Sequence, residues 1–127
     1  MSRVRAPRPI RLNIELGGFG VDGFHLKYRD GQLRYGRGIG YFREYETVEP
    51  PDEQQWLDFR NALETLGVWH WEHSYNDISV LDGTQWEVAI TWGWKRIRSQ
   101  GSNAYPDGFD NFLHAVSQLI HNRKFKL

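Results

Sequence analysis

The side chains best suited to chemistry in this chain are arginines and lysines that alternate with apolar residues in two hairpin-like segments. The outward positions are Lys27, Arg29 and Arg34 in the first segment and Arg96 and Arg98 in the second. Arg11 belongs to the same face of the strand that precedes them. Because successive side chains of a strand point to opposite faces of a sheet, this spacing predicts a basic sheet face. Guanidinium and ammonium groups bind carboxylates and phosphates, so the face would suit an anionic partner.

Aromatic residues accompany these cations. If Phe42 points toward the core, then Tyr41, Arg43 and Tyr45 point outward on the same face. A basic face with interleaved tyrosines is typical of sheets that bind single-stranded nucleic acid by stacking and phosphate contact. Trp94 falls at the tip of the second hairpin, where we expect it to be exposed and to act as an anchor for a protein partner.

A plain solvated face is the alternative interpretation, because antiparallel sheets commonly leave one face to water. Glu15 and Glu87 would then offset the arginines. The basic residues near both termini also have two possible roles. Such ends either contact acidic partners or only increase solubility.

The motifs that resemble catalytic or metal sites lack their partners. The loop from Ser99 to Asn103 has no Gly-x-Ser-x-Gly elbow, and its residues favour turns. His70 and His73 would face opposite sides of a strand, so we expect no metal site. The glycine-rich runs at 17–20 and 36–40 lack a phosphate-loop lysine. We therefore expect no cofactor, and an enzyme is the less favoured class.

Composition indicates one domain without disulfides. The chain has 127 residues and no cysteine, and 16 basic residues balance 16 acidic ones. Aromatic residues make up 15% of the chain, so large rings can fill a core despite the polar composition. No apolar run is long enough to span a membrane, and residues 1–9 lack a signal-peptide core. These features favour a cytoplasmic protein with a flexible basic arm at 1–9 and a single domain at 10–127.

The first half of the domain reads as strands followed by a helix. Alternating apolar residues predict strands at 10–16, 24–28 and 33–35, with a tight turn at Asp30-Gly31 that pairs Tyr28 with Leu33. A short strand at 41–46 is also compatible with the pattern. Pro51 and the acidic residues after it then begin a helix, which Gly67 ends.

The second half repeats this plan. Residues 68–75 read as a strand, and residues 86–92 form the next one. A type II′ turn at Gly93-Trp94 pairs Ile90 with Ile97, and a final amphipathic helix follows Pro106. The sequence thus predicts an α+β fold of two tandem βββα units, with halves at 10–67 and 68–122. They would form an antiparallel sheet of about six strands with both helices on one face, or two small sheets packed back to back.

One segment resembles a known family. A Trp86-Glu87 strand, a basic return strand, the stretch Ser99-Gln-Gly-Ser-Asn-Ala-Tyr-Pro106 and a helix with two phenylalanines follow one another. This order resembles the C-terminal part of a family of small bacterial proteins without an established activity. The resemblance covers about residues 82–120 and implies no catalytic role for any residue in it.

The function that these observations favour is non-enzymatic binding, of an inhibitor, immunity or adaptor type. The partner would be an acidic protein, contacted through the basic face and Trp94. A single-stranded nucleic-acid binder using the same face is the first alternative. A small-ligand binder or enzyme with a pocket between sheet and helices is the second. Two copies would also be able to pair through a sheet edge, since no proline guards the second hairpin. The residues expected to bind are Lys27, Arg34, Tyr41, Arg43, Tyr45, Trp94, Arg96 and Arg98.

Overall fold

The computed structural model describes residues 6–40, 42–79 and 83–127. In these residues one seven-stranded sheet carries two α-helices, so the α+β class and the mainly antiparallel sheet are confirmed. The strands are β1 (Arg11–Gly18), β2 (Asp22–Arg29), β3 (Gln32–Ile39), β4 (Glu44–Val48), β5 (Ser74–Asn76), β6 (Thr84–Trp92) and β7 (Lys95–Ser102). The helices are α1 (Glu53–Thr65) and α2 (Phe109–Leu119), with a short 3₁₀ helix at Val68–His70.

The strand order is β4-β3-β2-β1-β6-β7-β5. Its centre is the antiparallel pair of β1 and β6, which joins the first half of the chain to the second. The prediction of two tandem βββα units is therefore wrong in detail. The first half contributes four consecutive strands, and the short strand β5 lies at the far edge, parallel to β7. A true repeat would place β5 beside β6, but β1 occupies that position.

Both predicted hairpins form in the predicted register. Tyr28 pairs with Leu33 in the first, and Ile90 pairs with Ile97 in the second. Asp30 and Gly31 both have positive φ, at 53° and 76°, as a type I′ turn requires. Gly93 is the first central residue of the second turn, and its φ of 59° is positive, as a type II′ turn requires at that position. Turn chemistry and the apolar alternation therefore specify the same pairing.

Helix α1 begins at a complete capping box. The Asp52 carboxylate accepts a hydrogen bond from the Gln55 backbone N–H, and the Gln55 side chain accepts one from the Asp52 N–H. Trp56, Phe59 and Leu63 are buried along one side of the helix. The chain then leaves α1 through Gly67, whose φ is 67°, as expected for a helix end.

The predicted strand at residues 68–75 is wrong. Residues Val68–His70 turn as a 3₁₀ helix, and only Ser74–Asn76 pair with the sheet. The reason is packing, because Val68 is buried and the Trp71 ring contacts Trp86 and Phe112 edge to face. A straight strand would alternate these side chains between opposite faces.

The buried apolar residues of the described strands all point to the helical side. Trp56 of α1 contacts Tyr28 and Trp92 edge to face, while Phe109 of α2 contacts Trp86. The C-terminal segment completes this layer, since Phe125 is buried against Phe24. The opposite face of the sheet is covered by no helix in the described residues, and we call it the open face.

Replacing a core residue of α2 by a charged one tests this layering. Phe112 has no solvent-exposed surface, so Phe112→Asp would bury an unpaired carboxylate, at a cost of several kcal/mol. We expect the variant to lose the cooperative thermal transition measured by circular dichroism. The control is Leu57→Asp, because Leu57 is exposed on α1 and should tolerate the charge. A folded Phe112→Asp variant would contradict the assigned helix face.

Candidate functional site on the open face

Six cations of the open face form two cross-strand rows, which we call the basic rows. Strand register defines them. One row runs Arg34, Lys27, Asn13, Ala89 and Arg98, and the other runs Gln32, Arg29, Arg11, Thr91 and Arg96. All six cations are exposed, and no carboxylate stands at these strand positions. The sequence prediction of a shared face for these residues therefore agrees with the register.

Two like-charged pairs lie directly opposite each other within the basic rows. Lys27 pairs with Arg34, and Arg11 pairs with Arg29. Directly opposed side chains on neighbouring strands are about 5 Å apart at Cβ, and like charges there are destabilising. Acidic neighbours compensate only weakly. Arg98 lies 4.0 Å from Glu87 at the border of the rows, and Arg29 lies 3.8 Å from the exposed Asp30. Exposed pairs of this kind contribute little.

The predicted aromatic residues divide between two places. Trp94 is fully exposed at the tip of the β6–β7 hairpin, at the end of the sheet where the basic rows lie. Tyr45 lies on the open face on β4, and the Arg34 guanidinium lies 5.5 Å from its ring centroid. Tyr41 lies outside the described residues. The premise that Phe42 points inward is wrong, because its side chain is 88% exposed.

Arg43 reaches the open face but does not join the basic rows. Its guanidinium donates to the Glu15 carboxylate at 3.0 Å and to the Phe24 carbonyl at 3.1 Å. A Cβ at Gly17 or Gly23 would lie within 3.0 Å of this guanidinium. The two glycines therefore leave room for Arg43 to lie on the sheet. Only 11% of its side chain is exposed, and Glu15 offsets its charge.

His25 is a part of this face that sequence reasoning missed. Its Nε2 lies 2.6 Å from Asn13 Oδ1, and its Nδ1 lies 2.6 Å from the Tyr45 hydroxyl. Since an amide oxygen only accepts, Nε2 carries the proton and Nδ1 accepts from the hydroxyl. Burial lowers the pKa of His25; Glu15 opposes this, while Arg43 and Lys27 add to it. The neutral ring, on β2, thus connects β1 to β4 across the intervening strand β3.

The other motifs have structural roles or no visible one. Ser99 is completely buried, and its hydroxyl donates a hydrogen bond to the Glu72 carbonyl at 2.5 Å. This structural role accounts for a serine at that position. The ring of His73 lies 3.3 Å from the Arg98 carbonyl. Within ranges 6–40, 42–79 and 83–127, no three metal-ligating side chains form a group. No helix in the same ranges has the length and apolarity to cross a bilayer.

Comparison with known proteins adds no assignment. No protein-family model matches this chain, and no curated protein is significantly similar to it in sequence. The function must therefore be argued from the open face itself.

The His25 network predicts a specific pH dependence of stability. Above about pH 6.5, the usual pKa of histidine, the ring is neutral in both folded and unfolded chains, and its contribution is complete. As the pH falls below that value, the unfolded chain binds a proton more readily than the folded one. The free energy of unfolding should therefore decrease with acidification.

Urea unfolding of the wild type and of His25→Gln between pH 7.5 and pH 5.5 measures this effect. We expect the wild type to lose more stability than the variant over this range, because glutamine does not titrate. Equal losses in the two proteins would show that His25 does not favour its neutral form when folded.

Proposed function

We propose that this protein is a non-enzymatic binding protein that docks on an acidic protein through the basic rows and Trp94. An inhibitor, immunity or adaptor protein would act in this way. The observation that carries the proposal is the array of six exposed cations on strands that a helix layer fixes from the other side. We also propose a cytoplasmic location, and a sheet edge as the place where two copies would pair.

The electrostatics of the array support an anionic partner. The opposed pairs Lys27–Arg34 and Arg11–Arg29 repel each other in the free protein. Carboxylates placed above them would remove this repulsion and form charge-assisted hydrogen bonds. Complementary charge of this kind mainly increases the association rate and the specificity of a complex.

Trp94 supports a protein as that partner. A fully exposed tryptophan at a hairpin tip contributes nothing to the core, whereas tryptophan is among the residues that most often dominate binding energy at protein interfaces. The turn that presents it connects β6 to β7, so Trp94 is close in sequence to Arg96 of the basic rows. The partner would offer an apolar pocket beside an acidic surface.

Single-stranded nucleic acid is the less favoured ligand because the face lacks a stacking platform. Sheet-based binders present free aromatic rings on central strands. Here the central strands β1 and β6 present Asn13, Glu15, Glu87 and Ala89 to the open face. The ring of Tyr45 is at the edge and already contacts Arg34. An enzyme pocket between sheet and helices is less favoured again, since the core side chains fill that layer.

The decisive variants are Trp94→Ala and Arg96→Glu. A partner would be captured from host lysate, purified, and titrated against each variant at low and near-physiological salt. We expect Trp94→Ala to weaken binding about 30-fold or more, the size of an interface hot spot. Arg96→Glu should weaken it at low salt while the thermal stability stays unchanged, because Arg96 is exposed.

The matched control for charge reversal is Lys126→Glu, in the C-terminal segment that packs on the helical side. It should leave affinity unchanged. A purified partner that binds Trp94→Ala and Arg96→Glu as tightly as the wild type would overturn the proposal. Micromolar, strongly salt-dependent binding of a single-stranded oligonucleotide, lost in an Arg34/Arg96/Arg98 triple glutamate variant but not in Trp94→Ala, would establish the nucleic-acid alternative instead.

A further inference from the structure

A cleft of about 460 Å³ opens on the end of the open face that lies away from the basic rows. We propose that this cleft is a second binding site, for a hydroxyl-rich ligand without acidic groups, of the size of one or two sugar rings. The volume falls in the range of small-molecule sites. This inference is independent of the basic docking surface proposed above.

Strand register builds the floor of the cleft. One cross-strand row runs Gly17, Gln85, Ser102 and Asn76, and all four residues line the cleft. Gly17 provides no side chain, and amide and hydroxyl groups line the rest of the row. The next row places Glu15, Glu87 and Gln100 side by side. The cleft therefore has a polar floor, and Arg43, whose guanidinium lies over Gly17, lines it as well.

Arg43 fixes the orientation of the Glu15 carboxylate in this cleft. The guanidinium lies over Gly17 and Gly23, which have no Cβ to displace it, and binds the Glu15 Oε1. Glycine inside a strand weakens the strand, so the fold gives up stability at two positions to hold one arginine. Arg43 is nearly buried and acts as a positioning residue rather than a ligand contact.

The lining matches hydroxyl groups better than ionic ones. Carboxylates accept hydrogen bonds, side-chain amides both donate and accept, and the Ser102 hydroxyl does both. Two-atom groups such as those of Glu87 and Gln100 fit pairs of adjacent hydroxyls. The Glu15 and Glu87 carboxylates are direct cross-strand partners. Arg43 binds Glu15 at 3.0 Å, whereas Glu87 has only the exposed Arg98, 4.0 Å away, and such an exposed pair contributes little. An anionic ligand would therefore be repelled here, in contrast to the basic rows.

Phe19 provides an apolar surface at the rim of the cleft. Its ring lines the cleft from the β1–β2 loop and is 87% exposed. Exposed aromatic rings gain by covering the C–H face of a ligand. Phe42 offers a matched comparison, because it is 88% exposed at the same end of the sheet but does not line this cleft.

Saturation-transfer NMR on the full chain tests the site with a defined panel. The neutral probes are glucose, galactose, mannose, N-acetylglucosamine, maltose and cellobiose, and the acidic counter-probe is glucuronate. We expect transfer to at least one neutral sugar, with a dissociation constant in the millimolar range, and weaker transfer to glucuronate. Phe19→Ser should lower that affinity about fivefold, while Phe42→Ser leaves it unchanged.

A second pair of variants tests whether the Glu87 carboxylate itself binds the sugar or whether the loss of any negative charge has the same effect. Glu87→Ala should abolish the transfer, whereas Glu49→Ala, at an exposed position outside the cleft, should not. Both should unfold at the wild-type temperature. The inference is overturned if no neutral sugar of the panel shows transfer, if glucuronate binds as tightly, or if the two phenylalanine variants behave alike. Arg96→Glu should not affect sugar binding. The proposal of a sugar site and the proposal of a protein-docking surface can therefore be contradicted independently of each other.

Discussion

The hydrogen-bonded pairing of β1 with β6 holds the two halves of the chain in one sheet. Its register sets Leu12 against Ile90 and Ile14 against Val88 on the helical side. Because side chains alternate with a period of two, the same register places Asn13 against Ala89 and Glu15 against Glu87 on the open face. A shift by one residue would exchange the two sets. Both the core and the polar face therefore depend on this single pairing.

The open face is divided along the strand direction rather than across the strands. The six exposed cations of the basic rows lie toward the end with the two tight hairpin turns. The carboxylates, the nearly buried Arg43 and most of the glycines and amides lie toward the other end. Although the formal net charge is zero, one part of this face is basic and the other part is polar and bears the carboxylates. The His25 network lies between them, since Glu15 and Lys27 both act on its pKa. One sheet in this way presents two surfaces of different chemistry.

Local features of the sequence were sufficient to predict the two hairpins, the helices and the side to which the hairpin residues point. Asp30-Gly31 and Gly93 specify their turns, and Pro51 with Asp52 specifies the start of α1. What could not be predicted depends on strand order. The sequence contains no sign that β1 pairs with β6, so the meeting of Glu15 with Glu87, and the place that Gly17 and Gly23 leave for Arg43, were not foreseeable. The 3₁₀ helix at Val68–His70 was missed because aromatic packing outweighs the alternating pattern there.

The position of β1 also bears on how the chain acquires its structure during synthesis. One edge of β1 pairs at once with β2, its neighbour in sequence, but the other edge must wait for β6, which begins only at Thr84. Contacts so distant in sequence slow folding. Until β6 leaves the ribosome, the central strand of the finished sheet is an edge strand with exposed leucines and isoleucine, the kind of surface that promotes aggregation.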